Sequence, residues 1–204
     1  MRKIILLASL SFFSLTSTSG QSTDSSLHKP ANIVFLLDVS SSMGQDNKMV
    51  LMKKSTEELL KLLNKKDHIS LISFGNTVDL LYTTTSYAGP DTIVKMISKI
   101  RSKASATNIN GGLIEGYEVA LKNYVTYGVN HILLITDGEF VLNNYSKQLV
   151  KTNASVALTG VVIGKGPEAE KAVRYITDEL KLKVITLIDE EKDVKKLTEL
   201  IGRQ

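Results

Sequence analysis

Short, nearly uninterrupted runs of apolar residues recur along the chain, each about a strand in length and bounded by turn-forming residues. Such runs are too short for ordinary helices and suit strands that are buried on both faces of a sheet. We therefore predict strands at residues 32–38, 69–74, 132–136, 156–163 and 184–188. Another run, at 78–82, follows the second of these after only Gly75, Asn76 and Thr77, which predicts a hairpin.

Between these runs, apolar residues recur at spacings of three and four, the period of an amphipathic helix. The pattern predicts helices near residues 49–63, 93–100, 113–124, 167–180 and 192–201. Pro167 suits the first turn of the fourth helix, because the first N–H groups of a helix have no partner within it.

The alternation of strands and helices indicates an α/β domain with a doubly wound, mainly parallel six-stranded sheet and helices on both faces. The short link before residues 78–82 makes that strand antiparallel to its neighbour, and we place it at an edge. Right-handed crossovers then arrange the other strands outward on both sides of the first. Ligands of such sheets bind at the carboxyl ends of the strands, where the winding reverses, so that edge is where a site is expected.

The N-terminal residues have the order of a secretory signal peptide. Residues 1–20 combine a basic start at Arg2 and Lys3, an apolar run from Ile4 to Leu15 and a small polar end at Gly20. Residues 21–30 form a polar linker and residues 31–204 form the domain. We expect an exported protein, periplasmic or secreted, with no membrane span after signal cleavage. The alternative is that the apolar run is a buried N-terminal helix or strand.

Composition and charge exclude several classes of function. The chain has 25 Lys and Arg against 21 Asp and Glu, a net charge of +4, and 6% aromatic residues. These values give no basic, aromatic stripe for nucleic acid, so we expect no nucleic-acid partner. The absence of cysteine excludes disulfides, thiol nucleophiles and cysteine-ligated metals.

Three separated segments place oxygen-bearing side chains at the expected binding edge. They contribute Asp38, Ser40 and Ser42 after the first strand, Thr107 before the third helix, and Asp137 after the strand at 132–136. Carboxylates and hydroxyls are hard ligands that suit Mg²⁺, Mn²⁺ or Ca²⁺ and match zinc or copper poorly. With only two carboxylates, such an ion keeps coordination positions for water or for a partner's carboxylate.

These residues resemble the metal-ion-dependent adhesion site of the von Willebrand factor A (VWA) domains, and the closest likeness is to exported bacterial versions. Asp38, Ser40 and Ser42 match the family's Asp-x-Ser-x-Ser motif, Thr107 its later threonine, and Asp137-Gly138 its Asp-Gly. The resemblance covers about Asn32 to Ile201 and implies the Rossmann-like fold of that family. It also implies that the three hydroxyls bind the metal directly and the aspartates directly or through water, and that a partner's Glu or Asp completes the octahedron.

The resemblance and the N-terminal segment lead to a functional hypothesis of an exported, metal-dependent protein-binding module and not an enzyme. Its protein ligand offers Asp, Glu or a C-terminal carboxylate to the ion. The contact surface around the ion is predicted to include Met43, Gln45, Tyr87, Asn108 and Phe140. The alternatives are a metal-dependent hydrolase of a phosphoryl substrate, with Glu139 as candidate base, and a subunit of a complex in which the metal is structural.

Several of these segments also have local explanations. An Asp-x-Ser-x-Ser sequence after a strand can be a cap and turn, and Asp137-Gly138 is a common turn dipeptide. Gly164-x-Gly166-x-x-Ala169 matches a dinucleotide-binding pattern, but it follows a late strand, and Pro167 lacks an N–H that a phosphate could use. We interpret it as a strand-to-helix turn. His68 and His131 fall at the amino end of the sheet, which disfavours both as bases for the predicted site.

Overall fold

The computed structural model describes residues 29–138 and 140–187. Within this part of the chain, one sheet contains the strands β1 Ala31–Asp38, β2 His68–Phe74, β3 Val78–Thr84, β4 Val129–Thr136, β5 Ala157–Ile163 and β6 Lys183–Leu187. Their spatial order is β3-β2-β1-β4-β5-β6. Only β2 and β3 pair antiparallel among these strands. The predicted antiparallel edge strand and the outward winding from β1 are both confirmed.

Five α-helices lie between the strands of the described residues. They are α1 Lys48–Lys61, α2 Asp91–Lys99, α3 Ile109–Lys122, α4 Asn144–Thr152 and α5 Pro167–Arg174. A 3₁₀ turn, Ser41–Gly44, precedes α1, and a π-helical turn, Tyr175–Glu179, continues α5. The helix predicted at 192–201 and the signal segment predicted at 1–20 lie outside the described residues. Among the helices described, none combines the length and hydrophobicity needed to cross a bilayer.

Helix α4 is the one described helix that the apolar spacing does not predict. Its nine residues include only two aliphatic side chains, Leu149 and Val150, which are half-buried, and Tyr145 is 62% exposed. It begins because the Asn143 side chain accepts a hydrogen bond from the Ser146 backbone N–H at 2.8 Å, as a helix cap. A local cap and packing against α3 therefore define this helix.

The hydrophobic core lies on both faces of the sheet. Residues of β1 alternate between the two sides: Phe35 packs into the cluster that contains residues of α1 and α2, and Leu36 into the cluster that contains residues of α3 and α5. All eight residues of β1 are buried. This double burial explains why the strand reads as a continuous apolar run in the sequence.

Helix α3 packs on the sheet through two glycines. A Cβ atom placed on Gly112 would lie 3.1 Å from atoms of the Phe74 side chain, and one on Gly116 would lie 3.1 Å from Leu36. The small residues let the helix backbone approach β1 and β2. The start of α3, with the loop that precedes it, is thereby held against the carboxyl ends of these two strands.

Candidate metal centre

Asp38 ends the central strand β1, and its carboxylate is held in a fixed orientation. Oδ1 accepts a hydrogen bond from the Ser40 backbone N–H at 2.8 Å, and Oδ2 accepts one from the Thr136 hydroxyl at 2.6 Å. The residue is 1% exposed. Burial raises the pKa of this carboxyl above its ordinary value, the hydrogen bonds from Thr136 and Ser40 oppose that rise, and the charge of Asp137 adds to it.

The two serines connect the first strand to the fourth. Ser40 and Ser42 lie with their Oγ atoms 3.0 Å apart, and the Ser42 hydroxyl donates to Asp137 Oδ1 at 2.9 Å. Met43, in the same 3₁₀ turn, is fully buried and anchors the turn to the core. The loop after β1 therefore directs its serine hydroxyls toward the end of β4.

Asp137 follows β4 and forms an ion pair with a lysine from the first helix. Its Oδ2 accepts a hydrogen bond from Lys48 Nζ at 2.8 Å. The side chain of Asp137 is 2% exposed and that of Lys48 is 15% exposed. Sequence reasoning missed both Lys48 and Thr136 as parts of this network. Neither belongs to the motif, and their pairing with aspartates depends on contacts across 89 and 98 residues of chain.

Thr107 reaches the site from the loop that precedes α3. The backbone N–H of Ser41 donates to the Ala104 carbonyl at 2.8 Å, and the N–H of Asn108 donates to the Gly75 carbonyl at 2.7 Å. The side chain of Asn108 caps α3 by accepting from the Gly111 N–H at 3.0 Å. These contacts tie the loop to the ends of β1 and β2, while Thr107 itself is exposed.

The five residues predicted as metal ligands line a single cavity of about 300 Å³. The same cavity is bordered by Gln45, Lys48, Thr136, Gly138 and Glu168. It lies at the carboxyl ends of β1 and β4, between which the winding of the sheet reverses. The three segments, distant in sequence, thus converge where the topology predicts a ligand.

The donor set of this cavity fits a hard divalent ion. It combines two buried carboxylates with hydroxyl groups, and an ammonium group already lies against one of the two. Within the described part of the chain, no group of three or more histidines, aspartates and glutamates is arranged to hold a metal, so a histidine-rich zinc site has no support there. Oxygen donors of this kind match Mg²⁺, Mn²⁺ or Ca²⁺.

The predicted contact surface is wrong for three residues. Met43, Tyr87 and Phe140 are buried, with 0%, 2% and 7% of their surface exposed. Tyr87 donates its hydroxyl to the Leu60 carbonyl at 2.9 Å, and Phe140 packs edge to face on Tyr175. Met43 and Phe140 pack into the core instead of facing solvent. Tyr87 lies at the opposite end of the sheet from the cavity, beside the C-terminal end of α1. Gln45 and Asn108 are exposed, as predicted.

Histidine provides no base at this cavity within the described residues. His68 begins β2 and its Nδ1 lies 2.7 Å from the Asn123 carbonyl oxygen. His131 lies near the start of β4 and is buried, with Nε2 2.9 Å from the Thr159 hydroxyl. Burial, with the nearby charge of Lys183, lowers the pKa of His131 to about 4. Glu139, the candidate base of the hydrolase alternative, lies outside the described residues.

The Gly164–Gly166 segment forms a tight turn from β5 into α5. Both glycines have positive φ, 103° and 104°, which side-chain-bearing residues rarely adopt. Pro167 is the first residue of α5. The backbone of this turn accounts for both glycines without a nucleotide. A separate cavity, of about 510 Å³, is lined by this turn and α5.

An open, doubly wound sheet with an oxygen-rich cavity where its winding reverses is typical of a class of α/β domains that bind ligands at this edge. Comparison with known families makes the assignment specific, because the sequence model of the von Willebrand factor type A domain matches residues 32–200. The chain belongs to this family, and the family resemblance seen in the sequence is confirmed.

Relatives of known sequence share this domain within much larger proteins. The uncharacterized protein YfbK of Escherichia coli K12 is 33% identical over 110 residues, which are 54% of this chain and 19% of that protein. The bovine inter-alpha-trypsin inhibitor heavy chain H1 is 31% identical over 115 residues, or 53% of this chain and 13% of that protein. The chain thus spans less than a fifth of the length of these relatives.

Solved structures show the same fold at low sequence identity. A von Willebrand factor type A protein from Catenulispora acidiphila gives a TM-score of 0.69 at 16% identity, covering 86% of this chain and 42% of the other. BatB from Bacteroides thetaiotaomicron gives a TM-score of 0.67 at 16% identity, covering 84% of this chain and 97% of the other. Proximal thread matrix protein 1 of the mussel byssus was solved with zinc in its MIDAS (adhesion-site) motif. It gives a TM-score of 0.64 at 20% identity, covering 85% of this chain and 47% of the other.

Proposed function

We propose that this protein is an exported binding module that holds a divalent ion and captures a carboxylate of a protein partner through it. The ion would be held by Asp38, Ser40, Ser42, Thr107 and Asp137. Mg²⁺ is the proposed ion, with Mn²⁺ or Ca²⁺ as alternatives of the same hard-ligand chemistry. When bound, it would supply a positive charge and a coordination position for a partner's Asp, Glu or C-terminal carboxylate.

The observation that carries this proposal is the convergence of two buried carboxylates in one hydroxyl-lined cavity. Asp38 and Asp137 are 1% and 4% exposed, and the charge of Asp137 acts on Asp38. Two buried carboxylates in one site are costly without a compensating cation, and Lys48 supplies only one positive charge. A divalent ion would more than neutralise the negative charge that Lys48 leaves on the two carboxylates. The loaded site would then attract an external anion.

A divalent ion bound by a protein of similar fold supports this proposal. The mussel proximal thread matrix protein 1 was solved with zinc in its MIDAS motif. We propose the corresponding cavity of this chain as its ion site, with Mg²⁺ preferred over zinc because the donors here are carboxylate and hydroxyl oxygens.

The surface beside the cavity has features suited to a protein ligand. Val141 and Tyr145 are 65% and 62% exposed. Asn110, in the first turn of α3, links this segment to the Thr107 loop: its Nδ2 donates to the Val141 carbonyl at 3.4 Å, and its Oδ1 accepts from the Asn143 N–H at 2.9 Å. We propose that these apolar side chains, with Gln45 and Asn108, form the contact surface around the ion. Aromatic and apolar residues within a polar rim are typical of protein interfaces.

Metal binding is expected to be saturable and stabilising. An ion bound only by the folded state raises its stability by mass action, by about 2.7 kcal/mol at a concentration one hundred times the dissociation constant. Calorimetric titration with Mg²⁺, Mn²⁺ and Ca²⁺, together with thermal unfolding, measures both effects. The absence of saturable binding at millimolar concentration would remove the central part of the proposal.

Partner capture is expected to need both the ion and the Thr107 hydroxyl. In a pull-down from an extract of the native organism, EDTA should release the partner and Mg²⁺ should restore it. Thr107→Ala removes a proposed ligand but no charge, and should weaken recovery, whereas Thr152→Ala removes an exposed hydroxyl at the end of α4 and should not.

The same preparation separates capture from catalysis. Binding without turnover in phosphatase and nuclease assays is the expected result. Metal-dependent hydrolysis that is lost in Glu139→Gln would instead establish the hydrolase. Capture that persists in EDTA and in Thr107→Ala would indicate a subunit contact in which the ion has a structural role.

Export is proposed from the N-terminal pattern of residues 1–20. Expressed with this segment in a bacterial host, the protein should lose about twenty residues and begin near Gly20 or Gln21. Intact-mass analysis of the periplasmic and cytoplasmic fractions measures the result. An uncleaved chain recovered from the cytoplasm would contradict the proposed localisation.

A further inference from the structure

Lys48 places a positive charge inside the cavity proposed to bind a cation. Its Nζ lies 2.8 Å from Asp137 Oδ2, and its side chain is only 15% exposed. The other oxygen of Asp137 accepts from Ser42. One of the two carboxylates at the site thus already has a cationic partner supplied by the protein itself.

The fold positions this ammonium group from a neighbouring element. Lys48 is the first residue of α1, and its aliphatic stem passes beside the turn after β5. A Cβ atom placed on Gly164 would lie 3.2 Å from Lys48 Cε, so the glycine leaves room for the stem. The burial of both side chains distinguishes this ion pair from the pair Lys61–Glu58 at the other end of the helix, whose side chains are 58% and 47% exposed.

We propose that Lys48 is an internal counter-ion that occupies Asp137 in the metal-free protein and competes with the divalent ion for that carboxylate. The inference rests on the proposed function, because it concerns the same site. A buried carboxylate without a cation is strongly destabilising, so Lys48 keeps the metal-free site folded. The same charge repels an incoming ion, so Lys48 also lowers the metal affinity.

Lys48 has a second consequence for the proposed partner. The buried carboxylates of Asp38 and Asp137, taken together with Lys48, give a net charge of about −1 without the ion and about +1 with it. Glu168 also borders the cavity, but it is exposed and pairs with Lys171 at 3.3 Å. Without Lys48 the loaded site would be neutral. With Lys48 in place, the site therefore attracts an external carboxylate only when the ion is bound.

The test compares metal affinity in variants that remove or keep this charge. Lys48→Met and Lys48→Gln remove it, the second keeping an amide that can donate to Asp137, and Lys48→Arg keeps it. Calorimetric titration with Mg²⁺ and Mn²⁺ should show tighter binding, on the order of tenfold, in the first two variants and near-wild-type binding in Lys48→Arg. The metal-free melting temperature of Lys48→Met should fall, so that saturating metal gives it a larger rise than wild type.

Lys61→Met is the matched control, because it removes the same charge from the exposed end of α1. Its metal affinity should equal that of wild type, which separates local competition from a change in net charge. If wild type binds metal and neither Lys48→Met nor Lys48→Gln binds it more tightly, the inference is overturned while the proposed function stands. If wild type and both variants bind no metal, the proposed function fails and this inference fails with it.

Discussion

Replacing Asp38 with asparagine is expected to abolish divalent-ion binding while leaving the metal-free protein at least as stable as wild type. Asp38 is a proposed ligand, and even residues that only support a metal ligand lower affinity 10- to 100-fold when changed, so we expect a loss on the order of 100-fold or more. Burial raises the pKa of this carboxyl, which means that its charged form is disfavoured in the folded state. A neutral amide of the same shape relieves that cost.

The opposite signs of the two effects make Asp38→Asn diagnostic. Calorimetry should show no saturable Mg²⁺ or Mn²⁺ binding, and thermal unfolding in EDTA should show a melting temperature equal to or above that of wild type. Glu118→Gln makes the same chemical change at an exposed position of α3 and should keep the wild-type metal response. Wild-type metal affinity in Asp38→Asn would show that the ion binds elsewhere.

Gly75→Ala is expected to destabilise the protein by about 1–3 kcal/mol and to weaken metal binding. Gly75 follows β2, and a Cβ atom there would lie 2.3 Å from Ala104 Cβ and 3.1 Å from Val39 Cγ2. The Gly75 carbonyl accepts from Asn108, and Ala104 accepts from Ser41. A methyl group at this position must therefore push apart the loop that bears Thr107 and the loop that bears the serines.

A compensating substitution tests this cause. Ala104→Gly removes the Cβ atom that the new methyl group would strike, so Gly75→Ala combined with Ala104→Gly should recover much of the lost stability and metal affinity. Urea unfolding and calorimetry of the two single variants and the double variant form a double-mutant cycle. If the effects of the two substitutions on stability and metal affinity simply add, the clash between the two side chains is not the cause. The spacing of the two loops would then not control metal affinity.

The strands were the most predictable part of the molecule. Buried strands of a parallel sheet are apolar on both faces, so β1, β2, β4 and β5 are visible as continuous runs, and the three-residue link before Val78 fixed the direction of β3. Helix α4 was not predictable in the same way. It is a short helix in which only Leu149 and Val150 pack against the core, so its sequence offers few apolar positions from which to recognise it.

The proposed ligands were predictable as a group because of where they fall relative to the strands. Asp38 ends β1 and Asp137 follows β4, and these strands lie side by side where the winding reverses. Thr107 precedes a helix that packs on the same sheet. The contact surface was not predictable. Phe140 is an apolar residue in a loop near the site, but its direction depends on Tyr175 of a distant turn, and it packs inward.

The sequence by itself determined the α/β class, the antiparallel edge strand and the outward winding from the first strand, since these follow from local periodicity and link length. Position at strand ends also indicated the candidate oxygen donors, which line one cavity. The tertiary structure alone decided how those donors are partnered. Thr136 fixes Asp38 and Lys48 pairs with Asp137 through side chains that meet only when the strands and α1 are packed together. Such pairings have no signature in the sequence, because a single hydroxyl or ammonium group gains its partner from long-range packing and not from its neighbours in the chain.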